Sequence, residues 1–220
     1  MIRVAAVAAA VALLAGCGSG GGHGRATLWV TRDEGKTVLL VRSVPAGETA
    51  LQALERETAI STRYGGRYVQ AIDGVSGSLT SRRDWFYFVN GIEADRGAAE
   101  YVLHAGDIEW WDFRDWGRVG ESVPVVVGAF PEPFLHGYGG KVRPAVVIGG
   151  AAAARTLARL VHGTVVTRVP AGANVLRLVA GRPRFTARLL PSGAVEFSFS
   201  GNAARLALEP SLYRYRYSVP

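Results

Sequence analysis

The chain has 220 residues, 49% of them hydrophobic and 20% charged, so it can bury a sizeable core and a disordered chain is excluded. Its formal charge is +7, carried by 23 arginines and two lysines. The arginines are scattered, and with an export-type N-terminus this argues against nucleic acid as a partner.

"MIRVAAVAAAVALLAGCGSGGGHG" opens the chain. Arg3 supplies a positive n-region, and Val4 to Leu14 form an apolar run of signal-peptide length, too short for a membrane span. Leu14-Ala15-Gly16-Cys17 resembles a bacterial lipobox, and Cys17 is the only cysteine. The resemblance implies a signal peptide over residues 1–17 and a diacylglycerol on the Cys17 sulfur. It places the mature protein, lipid-anchored, on the extracytoplasmic face of the membrane. Two acyl chains anchor far more firmly than one, because each buried CH₂ contributes about 0.8 kcal/mol. Residues 18–25 then form a glycine-rich tether. A lone cysteine excludes an intrachain disulfide.

Residues 26–44 read as two strands around a turn at Asp33-Glu34-Gly35-Lys36. In "PAGETALQALERET" the period changes, and Ala50, Leu51, Leu54 and Thr58 share one helical face. "RYVQAI" and "WFYFV" are strands, and Asn90-Gly91 is a hairpin turn. "AEYVLHAGDIEWWDF" supplies one or two more strands, broken near Ala105-Gly106. Strand, strand, helix, strands is the order of a small α+β domain of β-grasp type over residues 26–118.

A second, β-rich α/β unit is predicted over residues 119–220. "PVVVGAF" and "RPAVVIGG" read as strands flanking a Pro/Gly loop, and "AAAARTLARLVHG" as a helix ending at Gly163. "TVVTRV", "ANVLRLVA", "RFTARLL", "AVEFSFS", "ARLALE" and "YRYRYSV" all read as β. In the last, Tyr213, Tyr215 and Tyr217 face one way and Arg214 and Arg216 the other. The charge also divides here. Residues 25–118 hold 12 basic and 14 acidic side chains, and residues 119–220 hold 12 basic and four acidic ones. The basic unit suits anionic lipid or a cell-wall polymer.

The succession Gly47-x-Thr49-Ala50-Leu51-x-Ala53-Leu54, Tyr68-Val69-x-x-Ile72-Asp73-Gly74-Val75, Trp85-x-Tyr87-x-Val89-Asn90-Gly91 and Gly106-Asp107-x-x-x-Trp110 resembles the C-terminal domain family of transcobalamin and intrinsic factor, over residues 45–113. In the animal carriers that domain closes over a corrin against a large helical barrel. The barrel is missing here, so the resemblance implies at most half of a cobalamin site.

Strand parity puts Phe86 and Phe88 on one face and Trp85 and Tyr87 on the other, with Trp110 and Trp111 straddling the next strand. One face must be core. Core packing and a stacking surface are both open for the other, and Trp85, Tyr87 and Trp111 are the ligand-binding candidates.

No catalytic or metal constellation stands out. His23, His104, His136 and His162 lack metal-ligand spacing. "GVSGS" has Ser78 where a nucleophile elbow needs glycine, and "EGKT" has Val30 where a phosphate loop needs one. Asp107, Glu109 and Asp112 read as a solvated strand edge. The expectation is a non-enzymatic, cell-surface binding protein without a cofactor, with cobalamin as a candidate ligand and a transporter or surface protein as partner. The alternative is an interaction module for protein or cell wall.

Overall fold

The computed structural model describes residues 24–150 and 152–220. The predicted signal peptide and Cys17 lie outside the described residues.

Strands β1 (Arg25–Arg32) and β2 (Thr37–Pro45) form the predicted hairpin, and Asp33, Glu34 and Gly35 turn it with positive φ. Helix α1 (Ala50–Glu57) starts at Thr49, whose hydroxyl accepts from the Gln52 amide while the Gln52 side chain accepts from the Thr49 amide. This reciprocal cap satisfies two backbone donors that a helix end otherwise leaves free. Ala50, Leu51, Ala53 and Leu54 are its buried face. Strands β3 (Ile60–Arg63), β4 (Tyr68–Ile72) and β5 (Val75–Ser76) make a small antiparallel sheet. Next come β6 (Arg83–Val89), the Asn90-Gly91 turn with both φ positive, β7 (Ile92–Glu93) and β8 (Ile108–Asp115).

The main sheet runs β2-β1-β8-β6-β7. Its β1/β8 pair is parallel and the others are antiparallel. One helix therefore packs across a mixed sheet. The α1 side of that sheet carries Leu28, Val30, Trp85, Tyr87, Trp111 and Phe113.

Beyond it lie α2 (Trp116–Val119), α3 (Glu132–Leu135), β9 (Ala145–Ile148), α4 (Ala154–Leu160), β10 (Thr164–Val165), β11 (Asn174–Val179), β12 (Arg184–Leu189), β13 (Val195–Ser200) and α5 (Ala203–Leu208). The second sheet runs β10-β9-β11-β13-β12, parallel except at β12. A core of Phe130, Phe134, Phe185, Phe197 and Phe199 with Leu157, Val161 and Leu206 fills the helix side. The fold is α+β, mostly sheet.

Three predicted strands differ. "PVVVGAF" touches the edge strand β7 through a single bridge, Val125 to Ile92, and then passes into a 3₁₀ turn at Val127–Ala129 that packs on the sheet face. "ARLALE" is α5, capped by Asn202, whose side chain accepts from the Arg205 amide. "YRYRYSV" begins in the last residue of a 3₁₀ turn, Pro210–Tyr213, and pairs with the second sheet through one bridge, Phe185–Val219. Its alternation survives, with the tyrosines partly buried and the arginines exposed. Tyr215 and Tyr217 pack on Trp29, Phe88 and Trp110, which also contact Val126 and Ala129. The face of the first sheet opposite α1 is thus covered by residues from beyond position 122.

Candidate functional site

Trp85 and Tyr87 on β6 and Trp111 on β8 share the α1 side, because Tyr87 and Trp111 are register partners. Their relative exposures are 5%, 9% and 3%. They do not form an open solvent-facing platform, because α1 and the residues around Ala98 and Tyr101 close over that side. Tyr87 and Trp111 stack on each other, with centroids 4.9 Å apart and planes at 20°. Trp85 leans on Phe113 at 5.2 Å.

Their polar atoms are also held. Trp85 Nε1 donates to the Val75 carbonyl at 2.7 Å, and the Tyr87 hydroxyl to the Arg96 carbonyl at 2.6 Å. Trp111 Nε1 donates to Glu109 Oε1 at 2.6 Å. Burial pushes the Tyr87 phenol far above its usual range.

These three residues still line a surface cavity of about 330 Å³. Arg67, Arg96, Glu93 and Glu121 stand among its lining residues. Arg96 is fixed by Asp95, donating to its two oxygens at 2.7 and 3.2 Å. Asp95 Oδ1 also accepts from Tyr138 at 2.6 Å, so a loop of the second unit braces the region. The cavity is of a size to take a slim apolar or planar group, with charge of both signs around it.

The acidic residues of β8 and its approach are not a solvated edge. Asp107, Glu109 and Asp112 are 1%, 0% and 0% exposed, because β8 is the central strand of the sheet. Asp107 accepts from Asn90 Nδ2 at 2.7 Å and the His104 amide at 2.8 Å. Glu109 Oε2 makes no hydrogen bond, and burial holds this carboxyl well above its usual range, with Trp111 only partly opposing the shift. Asp112 accepts from Thr31 Oγ1 at 2.5 Å, from the Gly35 and Glu34 amides and from the Tyr217 hydroxyl. No group of three or more His, Cys, Asp or Glu placed to hold a metal ion occurs among the described residues.

Two buried features escaped sequence reasoning. Arg114 is fully buried, lies 3.6 Å over the Phe86 ring and donates to Glu93 Oε1 at 2.7 Å. The Asp112–Tyr217 link ties the central strand β8 to the far end of the described chain. The signal available for both was the presence of Glu109, Asp112 and Arg114 within a strand that otherwise carries Ile108, Trp110, Trp111 and Phe113.

A family described as a domain of unknown function (DUF4430) matches residues 47–115. No curated protein matches the chain. Among solved structures, haptocorrin in complex with Cbi is similar over 43% of this chain, with 19% identity and a TM-score of 0.35. The chain spans only 26% of haptocorrin's length. A Ruminococcus gnavus protein, provisionally described as metal binding, is similar over 41% of this chain and 95% of its own, with 14% identity and a TM-score of 0.35.

Proposed function

We propose that the chain is a non-catalytic binding protein, held by a lipid on Cys17 at the extracytoplasmic face of a membrane, that takes its ligand at the Trp85–Tyr87–Trp111 cavity. The observation that carries this reading is the cavity itself. It lies almost wholly within the residues of the family match, 47–115, and combines aromatic side chains with Arg67 and Arg96. Because Tyr87 and Trp111 are stacked on each other and Trp85 packs on Phe113, the three rings offer a ligand no open aromatic platform. A whole corrinoid is too large for a cavity of about 330 Å³, so it would place only a peripheral group there. The remaining face would come from a partner such as a transporter subunit.

The test is titration of the full chain with cobinamide and cobalamin, followed by tryptophan fluorescence and corrinoid absorbance. Binding should be weak, and Arg96→Ala and Arg67→Ala should weaken it further with little change in melting. Saturation that survives both substitutions would place the site elsewhere. No corrinoid binding up to millimolar concentration would remove this ligand class and favour the interaction-module reading.

A further inference from the structure

We propose that the turn joining β1 to β2, the outer strand β2 and the segment from Leu212 to Arg216 form a docking face for a bilayer containing anionic phospholipid. This extends the membrane placement proposed above without depending on the Cys17 anchor.

The alternation in "YRYRY" fixes the charge. Tyr215 lies 4.6 Å from Trp29, edge on, and Tyr217 donates to Asp112 at 2.9 Å. With the tyrosines held inward, Arg214 and Arg216 stay exposed. The backbone is pinned as well. A Cβ on Gly35 would lie 1.6 Å from the Tyr215 carbonyl oxygen, and one on Gly128 2.5 Å from the Arg216 amide. The two arginines line an open groove of about 590 Å³ with Lys36 and Arg118. The one acidic side chain lining it, Glu34, is already paired with both Lys36 and Arg118. Arg214 and Arg216 make no salt bridge among the described residues, so the groove keeps an excess of positive charge.

An apolar ledge adjoins it. In the β1/β2 register Val41 is opposite Trp29 and Val38 opposite Thr31, so both valines point to the side that carries Tyr215. They are 41% and 44% exposed, and Leu39, at the bulge between them, is 46% exposed. Leu212, in the groove, is 43% exposed. Aliphatic side chains beside unpaired arginines match a surface whose outer layer is anionic and whose next layer is hydrocarbon. A free phosphate could satisfy the arginines but would leave the ledge in water. Each basic side chain near an anionic bilayer strengthens attachment about fivefold.

The test uses the chain from position 17 onward with Cys17→Ser, so that no acyl chain contributes, and vesicles of phosphatidylcholine with or without phosphatidylglycerol. Sedimentation with phosphatidylglycerol vesicles is expected, with release as salt rises toward about 1 M, where the screening length falls to about 3 Å. Arg214→Glu with Arg216→Glu should lower the partition coefficient at least about twentyfold, and Val38→Ser with Val41→Ser should lower it without removing the salt dependence. If the double arginine variant melts early, Lys36→Glu, on an exposed turn, replaces it with an expected drop of at least about fivefold. Equal binding to neutral vesicles, or binding unchanged in the charge variants, would overturn the proposal. So would full competition by soluble glycerophosphate, which would reduce the groove to an anion site. Failure of the Cys17 anchor in cells would leave these results untouched.

Discussion

The hydroxyl of Tyr217 donates to Asp112 Oδ2 at 2.9 Å across 105 residues of chain. Asp112 also receives Thr31 and the Glu34 and Gly35 amides, so one buried carboxylate holds the β1–β2 turn, the central strand and the far end of the described chain together. Burial holds the Asp112 carboxyl above its usual range, and these four donors oppose that shift.

Tyr217→Phe removes one donor from that carboxylate. A hydrogen bond to a charged group contributes about 1.5–3 kcal/mol, and the variant should lose stability on that scale at neutral pH. Asp112 should also become harder to ionise. A carboxyl whose folded pKa lies above its unfolded one stabilises the fold fully below the unfolded value and loses that contribution as pH rises through the folded one. The loss relative to wild type should therefore shrink below the ordinary aspartate range. Urea titrations at neutral and acid pH read both effects.

Glu109 provides a cleaner pH test. It is fully buried with a single hydrogen bond, and burial raises its pKa well above the usual glutamate range. By the same sign rule, wild-type stability should fall as pH rises from the ordinary glutamate pKa through the raised one. Glu109→Gln keeps the shape and an oxygen that can accept from Trp111. It should flatten that part of the profile and stabilise the protein at neutral pH by about 1–3 kcal/mol, the scale of a buried polar group's desolvation. A variant whose stability tracks the wild type from acid to neutral pH would show that folding does not raise the Glu109 pKa.

Local signals were legible in the sequence. Asn90-Gly91 spells a hairpin turn, and both residues adopt the positive φ that such a turn demands. The α1 face followed from Ala50, Leu51 and Leu54. "ARLALE" is helical because the Asn202 cap and the helix propensity of Ala, Leu and Arg outweigh its short apolar run. "YRYRYSV" has true two-residue alternation but lies over a sheet face, and periodicity cannot tell a strand from an extended segment packed that way. Strand parity sorted Trp85 and Tyr87 from Phe86 and Phe88. It could not show that both faces are covered, because Tyr215 and Tyr217 reach the second face from more than 100 residues away.

Processing at the N-terminus is a separate prediction. The lipobox-like Leu14-Ala15-Gly16-Cys17 should direct diacylglycerol to the Cys17 sulfur and cleavage before it. Mass spectrometry of the membrane fraction should find the acylated residue as the first of the chain, and Cys17→Ser should leave a precursor or released protein. A free Cys17 thiol in membrane-bound protein would refute it.

The unit boundary near residue 118 can be tested by cutting there. The buried residues of the core on the α1 side all lie between Ala26 and Phe113, so a fragment of residues 24–118 retains them and loses only the partly buried Tyr138 from that side. The opposite face loses Val126, Ala129, Tyr215 and Tyr217, and with them the cover over Trp29, Phe88 and Trp110. Exposing a large apolar side chain costs about 1.5–3 kcal/mol when complete, so the fragment should be several kcal/mol less stable than the same region in the full chain. It should nonetheless unfold cooperatively, with tryptophan emission shifted to the red by hydration of Trp29 and Trp110. Adding residues 119–220 as a separate chain should reverse the shift if that unit folds alone. A fragment without a cooperative transition would mean that the covered face is part of one folding unit, and that residues 26–118 are not a domain.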